Sequence, residues 1–186
     1  MGINIFTKDF LYYASLGHKI ESVDPKVYSN VLGYRKGISV LNTEKIKENL
    51  FVINEFLKSV ISEEKSSLLF VNLNESSKNI TRFCALRSVE PFIVKNWSSG
   101  ALTNVLSSEV DVIFVLSVKN NHFIVQEANK LNIPVVGLVD NDSNPNMVSF
   151  PLLLNDNSVG LDHAVTSLVS NVVLEIKLLN YGLLFN

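Results

Sequence analysis

Residues 133–157 read Ile-Pro-Val-Val-Gly-Leu-Val-Asp-Asn-Asp-Ser-Asn-Pro-Asn-Met-Val-Ser-Phe-Pro-Leu-Leu-Leu-Asn-Asp-Asn, and no other stretch constrains the fold as strongly. A seven-residue apolar run stops at Asp140, Asn141 and Asp142, with Asn144, Pro145 and Pro151 close behind. A short apolar run without alternation, bounded by turn residues, reads as a strand buried on both faces, and such strands belong to parallel sheets covered by helices. The run therefore delivers a stiff polar loop at the carboxyl end of a buried strand. In open α/β sheets that is the end where ligands and partners are met.

From Gly37 onward the same kind of strand alternates with helical periodicity. Ile38–Leu41 reads as a first strand, 67–72 as a second, 92–94 as a third, 111–117 as a fourth and 134–139 as a fifth. Asn42 or Thr43 caps a helix whose residues Ile46, Leu50, Ile53, Leu57 and Val60 share one face. Further helices are expected at about 76–88, around Ile124, Ala128 and Leu131, and from about 157 to 180. The last one aligns Val165, Leu168, Val172, Ile176 and Leu179. Residues 1–36 hold a short helix near 7–16 and then an extended arm with Gly17, Pro25 and Gly33. The expected architecture is an N-terminal helix and arm over 1–36, followed by one α/β domain over 37–186. Its sheet is doubly wound, mostly parallel and five-stranded, of Rossmann or flavodoxin type.

The single cysteine, Cys84, excludes a disulfide within the chain and any cysteine-based zinc cluster. The longest apolar runs fall short of the roughly 20 residues a membrane helix needs, and Glu175 and Lys177 interrupt the greasy stretch 168–186. No membrane partner is expected. The amino terminus shows no cleavable signal, and Asp9 is unwelcome in an organellar presequence. The net charge of −2 hides an asymmetry: residues 1–104 carry 13 Lys+Arg against 10 Asp+Glu, and residues 105–186 carry 3 against 8. Such a split points one face toward an anionic partner.

The turns after the first two strands, 41–44 and 72–75, contain no glycine, and neither a dinucleotide fingerprint nor a P-loop occurs. His18, His122 and His163 are too far apart for a local metal motif, and no nucleophile elbow is present. Asp140 and Asp142 would need further acids at neighbouring strand ends to hold a cation, and Asn72 and Ser117 are not acidic. No catalytic residue, metal, cofactor or small-molecule substrate is therefore expected. Nucleic-acid binding has better material. The arm carries His18, Lys19, Lys26, Tyr34, Arg35 and Lys36, and the loop after the third strand carries Lys95, Asn96, Trp97, Ser98, Thr103 and Asn104. Trp97 reads equally well as a stacking surface for a base and as a plug in the core.

These residues carry a resemblance. Leu16-Gly17-His18 with Asp24-Pro25-Lys26 is similar to the "GH…NPKM" arm of the second universal protein of the small ribosomal subunit (ribosomal protein S-two), in its bacterial and organellar form. Gly33 to Ile38 followed by Leu41-Asn42-Thr43-Glu44-Lys45 resembles that family's "G-x-R-x-G-I-x-I-I-x-L-x-K" lead into a strand. Asn96 to Asn104 resembles "RWLGGTLTN", and 133–157 resembles "IPVVALVDTNCDPDLVDYPIPGNDDA", the most specific block. The resemblance implies a non-enzymatic scaffold that binds small-subunit ribosomal RNA and neighbouring ribosomal proteins. It makes His18, Lys19, Lys26, Tyr34, Arg35, Lys36, Lys95, Trp97, Thr103 and Asn104 the RNA-facing candidates. Asp140, Asn141, Asp142, Pro145, Asn155 and Asp156 are expected to brace the loop and the next helix's amino terminus, because carboxylates repel phosphate.

Three departures from that pattern matter. Bacterial members insert a long helical hairpin after the "LTN" loop, whereas only 105–110 separates Asn104 from Asp111 here. The "RWLGG" counterpart lacks its arginine and one glycine. The first motif also begins close to Met1, with no room for a presequence. Together with 13 Lys against 3 Arg and abundant Asn, as AT-rich genes produce, this gives the expectation of an organelle-encoded protein of the mitochondrial matrix ribosome. Two other readings stand beside it: a small flavodoxin-like nucleotide- or flavin-binding protein, and a protein-docking module that has lost RNA contact.

Overall fold

The computed structural model describes residues 8–63, 66–95, 97–106, 109–156 and 158–182. Asn96 and Asn157, named above, lie outside the described residues. The elements run α1 (Lys8–Ser15), β1 (Leu16–Lys19), β2 (Val31–Arg35), β3 (Ile38–Leu41), α2 (Thr43–Ile61), β4 (Leu68–Val71), α3 (Lys78–Ser88), β5 (Phe92–Ile93), β6 (Val112–Val115), α4 (His122–Lys130), β7 (Val135–Val139), β8 (Phe150–Leu153) and α5 (Val159–Asn180). Short 3-10 turns occupy Ile20–Ser22, Pro25–Asn30 and Pro145–Met147, and a π turn occupies Leu102–Leu106.

The main sheet has the order β5-β4-β6-β7-β8, with every pair parallel. Numbered within the sheet this is 2-1-3-4-5, the flavodoxin order, with its switch point between β4 and β6. Every residue of β4, β6 and β7 is buried, as strands made of Val, Leu, Ile and Phe with the single Gly137 require. Phe70 and Phe114 meet edge to face at the centre, with ring centroids 5.6 Å apart. The chain steps one way from β4 to β5 and the other way from β6 to β7. Right-handed crossovers therefore place α3 and α4 on opposite faces. α5 packs between α2 and α3 on one face, and α4 contacts the π turn on the other.

Five strands are present as expected, but their membership differs. Ile38–Leu41 does not open the main sheet. It is the central strand of a separate three-stranded sheet, β1-β3-β2, and pairs antiparallel with both neighbours. The cause is the two-residue turn Lys36-Gly37, with φ of 52° and 77°. Positive φ at both positions is the type I′ geometry that closes a hairpin, and Lys-Gly is a weaker signal for it than Asn-Gly. The fifth place in the main sheet goes instead to Phe150–Leu153, to which the sequence reading assigns no strand. Pro151 hid it: proline cannot donate to a ladder, yet it is tolerated on an edge strand, and β8 is an edge.

The buried face of α5 shifts, and that of α2 differs only at its last position, Ile61 in place of Val60. In α2 the buried stripe is Ile46, Leu50, Ile53, Leu57 and Ile61, and Asn42 is the N-cap, accepting from the Glu44 N–H at 2.9 Å. In α5 the stripe is Leu161, Val165, Val169, Val173 and Ile176, while Leu168 and Val172 are half-buried and Leu179 is exposed. α5 carries apolar residues on most of its circumference, so periodicity alone could not choose a face. By length and composition it also qualifies to cross a membrane, against the expectation that no segment does. Its packing against α2 and α3, and the burial of Asp162, Thr166 and Ser170 along it, are those of a core helix.

Candidate nucleic-acid interface

The small antiparallel sheet carries most of the arm's candidates. Cross-strand register places Lys19 opposite Ile38 and Ile38 opposite Arg35. Residues directly opposite each other project from the same face, so Lys19, Ile38 and Arg35 form one row across three strands, all exposed. Lys36 stands at the hairpin tip beside this row. Tyr34 is 46% exposed and Tyr28 52%. Lys26 is exposed on the 3-10 turn that Asp24 caps, its carboxylate accepting the Lys26 N–H at 2.8 Å. Val27 in the same turn is buried and anchors it. Among the described residues none of Lys19, Lys26, Arg35 and Lys36 forms an ion pair with a carboxylate. Unneutralised cations interleaved with exposed tyrosines are suited to a polyanion with aromatic bases.

A polar latch fixes this sheet on the carboxyl end of β7. His18 Nδ1 lies 3.0 Å from Asp140 Oδ1, and the His18 backbone N–H donates to Asn141 Oδ1 at 3.1 Å. The Asn141 amide donates to the Ser39 hydroxyl, which in turn donates to the His18 carbonyl at 3.1 Å. The Asp24 N–H donates to the Asn141 carbonyl at 2.8 Å. Gly17 permits this approach, because a Cβ there would stand 2.6 Å from Asn141 Nδ2 and collide with the Ser39 hydroxyl. Behind the latch, Asp140 accepts the N–H groups of Asn141 at 2.6 Å and Asp156 at 2.9 Å. Asp156 accepts from Ser117 at 2.7 Å, and Asp142 pairs with Lys119 at 2.6 Å. Pro145 is buried at the start of its 3-10 turn. Asn155 is half-buried. The N-cap of α5 is Ser158, without a side-chain cap bond, so Asp156 braces Ser117 rather than the helix.

Burial dominates the electrostatics here. It works to lower the His18 pKa, but Asp140, aided by Asp142, outweighs it and raises the pKa above 6.5. Burial raises Asp140, with the Asp156 charge adding to it and the Asp156 N–H and His18 opposing it. Burial also lifts Asp162 to about 6 despite the Ser77 hydroxyl, and lifts Glu90 despite Lys177. The raised His18 contributes stability that is complete below 6.5 and disappears as pH rises through its folded value. The three raised carboxylates bind protons more tightly folded than unfolded, so they too favour the fold as pH falls from neutrality toward about 4. Burial alone would raise Glu127 and Asp142, but bonds from Thr103 and from Lys119 respectively win and lower them, so their contributions vanish below the ordinary carboxylate range. Thermal unfolding should therefore give a higher Tm at pH 5.5 than at pH 8, with a decline below pH 4. Asp162→Asn should remove about one proton's share of the slope between pH 4 and 6. A Tm that climbs from pH 5.5 to 8 contradicts the assignment.

The loop after β5 is organised by a residue that sequence reasoning missed. Glu127 of α4 accepts from the N–H of Gly100 at 3.2 Å and from the N–H and hydroxyl of Thr103 at 3.0 Å each. Nothing in the spacing of Glu127 announces this, since its partners lie 24 and 27 positions away. Trp97 packs against the core and turns its buried Nε1 toward the same carboxylate, short of full hydrogen-bond geometry. Of its two readings, the packing one describes its place here. Lys95, Thr103 and Asn104 are exposed. Gly100, at φ 87°, leaves room for the Asn104 amide, which a Cβ would approach to 2.9 Å.

The switch point is filled by the chain's own side chains. Asn72 donates to the hydroxyls of Ser77 at 3.0 Å and Thr81 at 2.9 Å. Asn121 donates to the Leu116 and Ser117 carbonyls at 2.6 and 2.8 Å and accepts the Leu73 N–H at 3.3 Å. The crevice where a flavodoxin-type sheet holds its ligand is thus bridged from β4 to β6.

The chain matches the model of the family described as Ribosomal protein S2 over residues 12–110 and 106–175. It is similar to the small ribosomal subunit protein uS2 of Flavobacterium johnsoniae, at 25% identity over 86% of this chain and 82% of that one. The corresponding protein of Marinobacter nauticus is 24% identical over 87% and 84%, and that of Coprothermobacter proteolyticus 23% identical over 86% and 77%. These alignments run to 208 or 211 positions although this chain has 186 residues, so the relatives carry residues that it lacks. The two stretches of the family match meet at 106–110, where the hairpin of bacterial members was expected to be missing. With the family pattern running through the arm, the latch and the five-stranded sheet alike, the chain belongs to the Ribosomal protein S2 family.

Proposed function

We propose that this chain is a structural constituent of the small ribosomal subunit of a mitochondrion, where its antiparallel sheet lies against ribosomal RNA. The structural role in the small subunit rests on the family. The RNA-facing reading is carried by one observation: the exposed row Lys19–Ile38–Arg35 with Lys36 at the hairpin tip, free of internal carboxylates among the described residues and latched rigidly to the core. Preorganised cations neutralise phosphates at little further cost in entropy. Lys26 and Tyr34 belong to the same arm, the exposed Lys95, Thr103 and Asn104 offer a second candidate contact on the loop after β5, and His18 serves the arm by orienting its sheet. The mitochondrial setting is supported by the absent hairpin and by the Lys-over-Arg, Asn-rich composition.

A flavodoxin-like nucleotide- or flavin-binding protein is favoured by the sheet order and opposed by the bridged switch point. The deciding experiment is sedimentation of tagged chain from its own cells. The chain should travel with small-subunit particles and their RNA, in the mitochondrial fraction. Recovery at the top of the gradient with a coenzyme bound would replace the ribosomal reading. Recovery in particles outside mitochondria would remove only the organellar part.

A further inference from the structure

Helix α3 carries an apolar stripe that nothing described in the fold covers. Thr81, Cys84, Ala85 and Ser88 turn inward and are buried, whereas Phe83 is 65% exposed, Leu86 57% and Val89 78%. Phe83 and Leu86 lie one turn apart on the outer face, and Val89 follows at the helix end. Val89 is the C-cap, held left-handed at φ 56°. Glycine adopts that conformation without strain, and a β-branched residue there is uncommon. Packing within the chain does not account for the choice, because the Val89 side chain stands in solvent.

Charge and shape identify what covers the stripe. α3 contains Lys78, Arg82 and Arg87 and no acidic residue. The acids that flank it in sequence are engaged, Glu75 with Lys78 and the buried Glu90 with Lys177. Arg82 lies 6.0 Å from the Phe92 ring centroid, and Arg87 donates to the Ser167 carbonyl at 3.4 Å and to Asn171. Both are steadied, and among the described residues no carboxylate pairs with either. The adjacent edge strand β5 has two residues and follows the exposed Pro91, which lacks an N–H, so this edge is unsuited to an added strand. Phe83 could stack on a base, but Leu86 and Val89, which make up the rest of the stripe, offer nucleic acid neither a stacking plane nor a donor. What fits is an amphipathic helix with apolar residues at one-turn spacing and acidic margins.

We propose that the outer face of α3, centred on Phe83, Leu86 and Val89, docks an acidic amphipathic helix of a neighbouring small-subunit protein. The proposal rests on the reading of the chain as a small-subunit constituent. It is tested with full-length chain carrying a photo-crosslinking amino acid at position 83 or 86, recovered in small-subunit particles and irradiated. Crosslinks are expected on a helical protein segment rich in Asp and Glu. Leu86→Asp should lower that protein's occupancy in the particles at least tenfold while the chain itself stays. Val89→Gly should raise the Tm of the isolated chain by about 2–4 °C, by relieving the left-handed valine, and still lower the occupancy. Crosslinks to ribosomal RNA, to a basic segment or to nothing, in particles that contain the chain, overturn the docking proposal and leave the ribosomal reading standing. Absence of the chain from particles overturns both.

Discussion

The triple variant Lys19→Ala, Arg35→Ala, Lys36→Asn should bind small-subunit ribosomal RNA on the order of a hundredfold more weakly near physiological salt. The slope of log K against log salt should become shallower by about two to three units. Each side chain is exposed and makes no internal ion pair among the described residues, so the loss would be counterion release rather than unfolding. Asparagine is chosen at position 36 because φ is 52° there and asparagine accepts that conformation better than alanine. Lys119→Ala provides the control. Lys119 is equally exposed but already spent on Asp142 at 2.6 Å, so its removal should leave the slope unchanged. Equal slopes for the wild type and the triple variant would show that the RNA lies elsewhere.

Asn141→Ala should have the largest effect on the fold. The substitution removes the acceptor of the His18 N–H and the donor to the buried Ser39 hydroxyl, which keeps its own bond to the His18 carbonyl. Two lost bonds cost about 1–3 kcal/mol, or a Tm lower by about 2–12 °C for a chain of this size. The backbone bond from the Asp24 N–H to the Asn141 carbonyl survives, so the arm should loosen rather than depart. Hydrogen exchange would report the difference. Protection should fall across 16–41 and persist in β4, β6 and β7, where every residue is buried. A loosened arm no longer presents its cations in register, so RNA affinity should fall with every basic residue still present. Uniform loss of protection across both sheets, or none, would show that the latch is not what couples arm to core.

The two effects separate what the residues are from where they are held. That the arm carries Lys19, Arg35 and Lys36 was legible in the chain, and so was the polar loop Asp140-Asn141-Asp142 at the end of a buried strand. Their mutual dependence was not. His18 and Asn141 are 123 positions apart, and Ser39 and Asn141 are 102 apart. No local pattern encodes such a pair, because the contact exists only after two sheets have formed and docked. Glu127 escaped notice for the same reason. Trp97 could not be assigned between stacking and packing until the surface it covers existed.

Element type followed from the chain alone wherever the physics is local. Runs dominated by Val, Ile, Leu and Phe must be buried on both faces, 3.6-residue periodicity makes α2 a helix, and its start falls at Asn42 or Thr43, of which the fold uses Asn42 as the cap. Tertiary structure decided partnership. It chose which strands pair, sending Ile38–Leu41 to a sheet of its own through the Lys36-Gly37 turn and bringing Phe150–Leu153 to an edge where Pro151 is harmless. It also chose which face of the mostly apolar α5 turns inward. Secondary structure is set by steric and hydrophobic preferences over a few residues. Pairing and burial are set by competition among distant surfaces, and that competition is settled only in three dimensions.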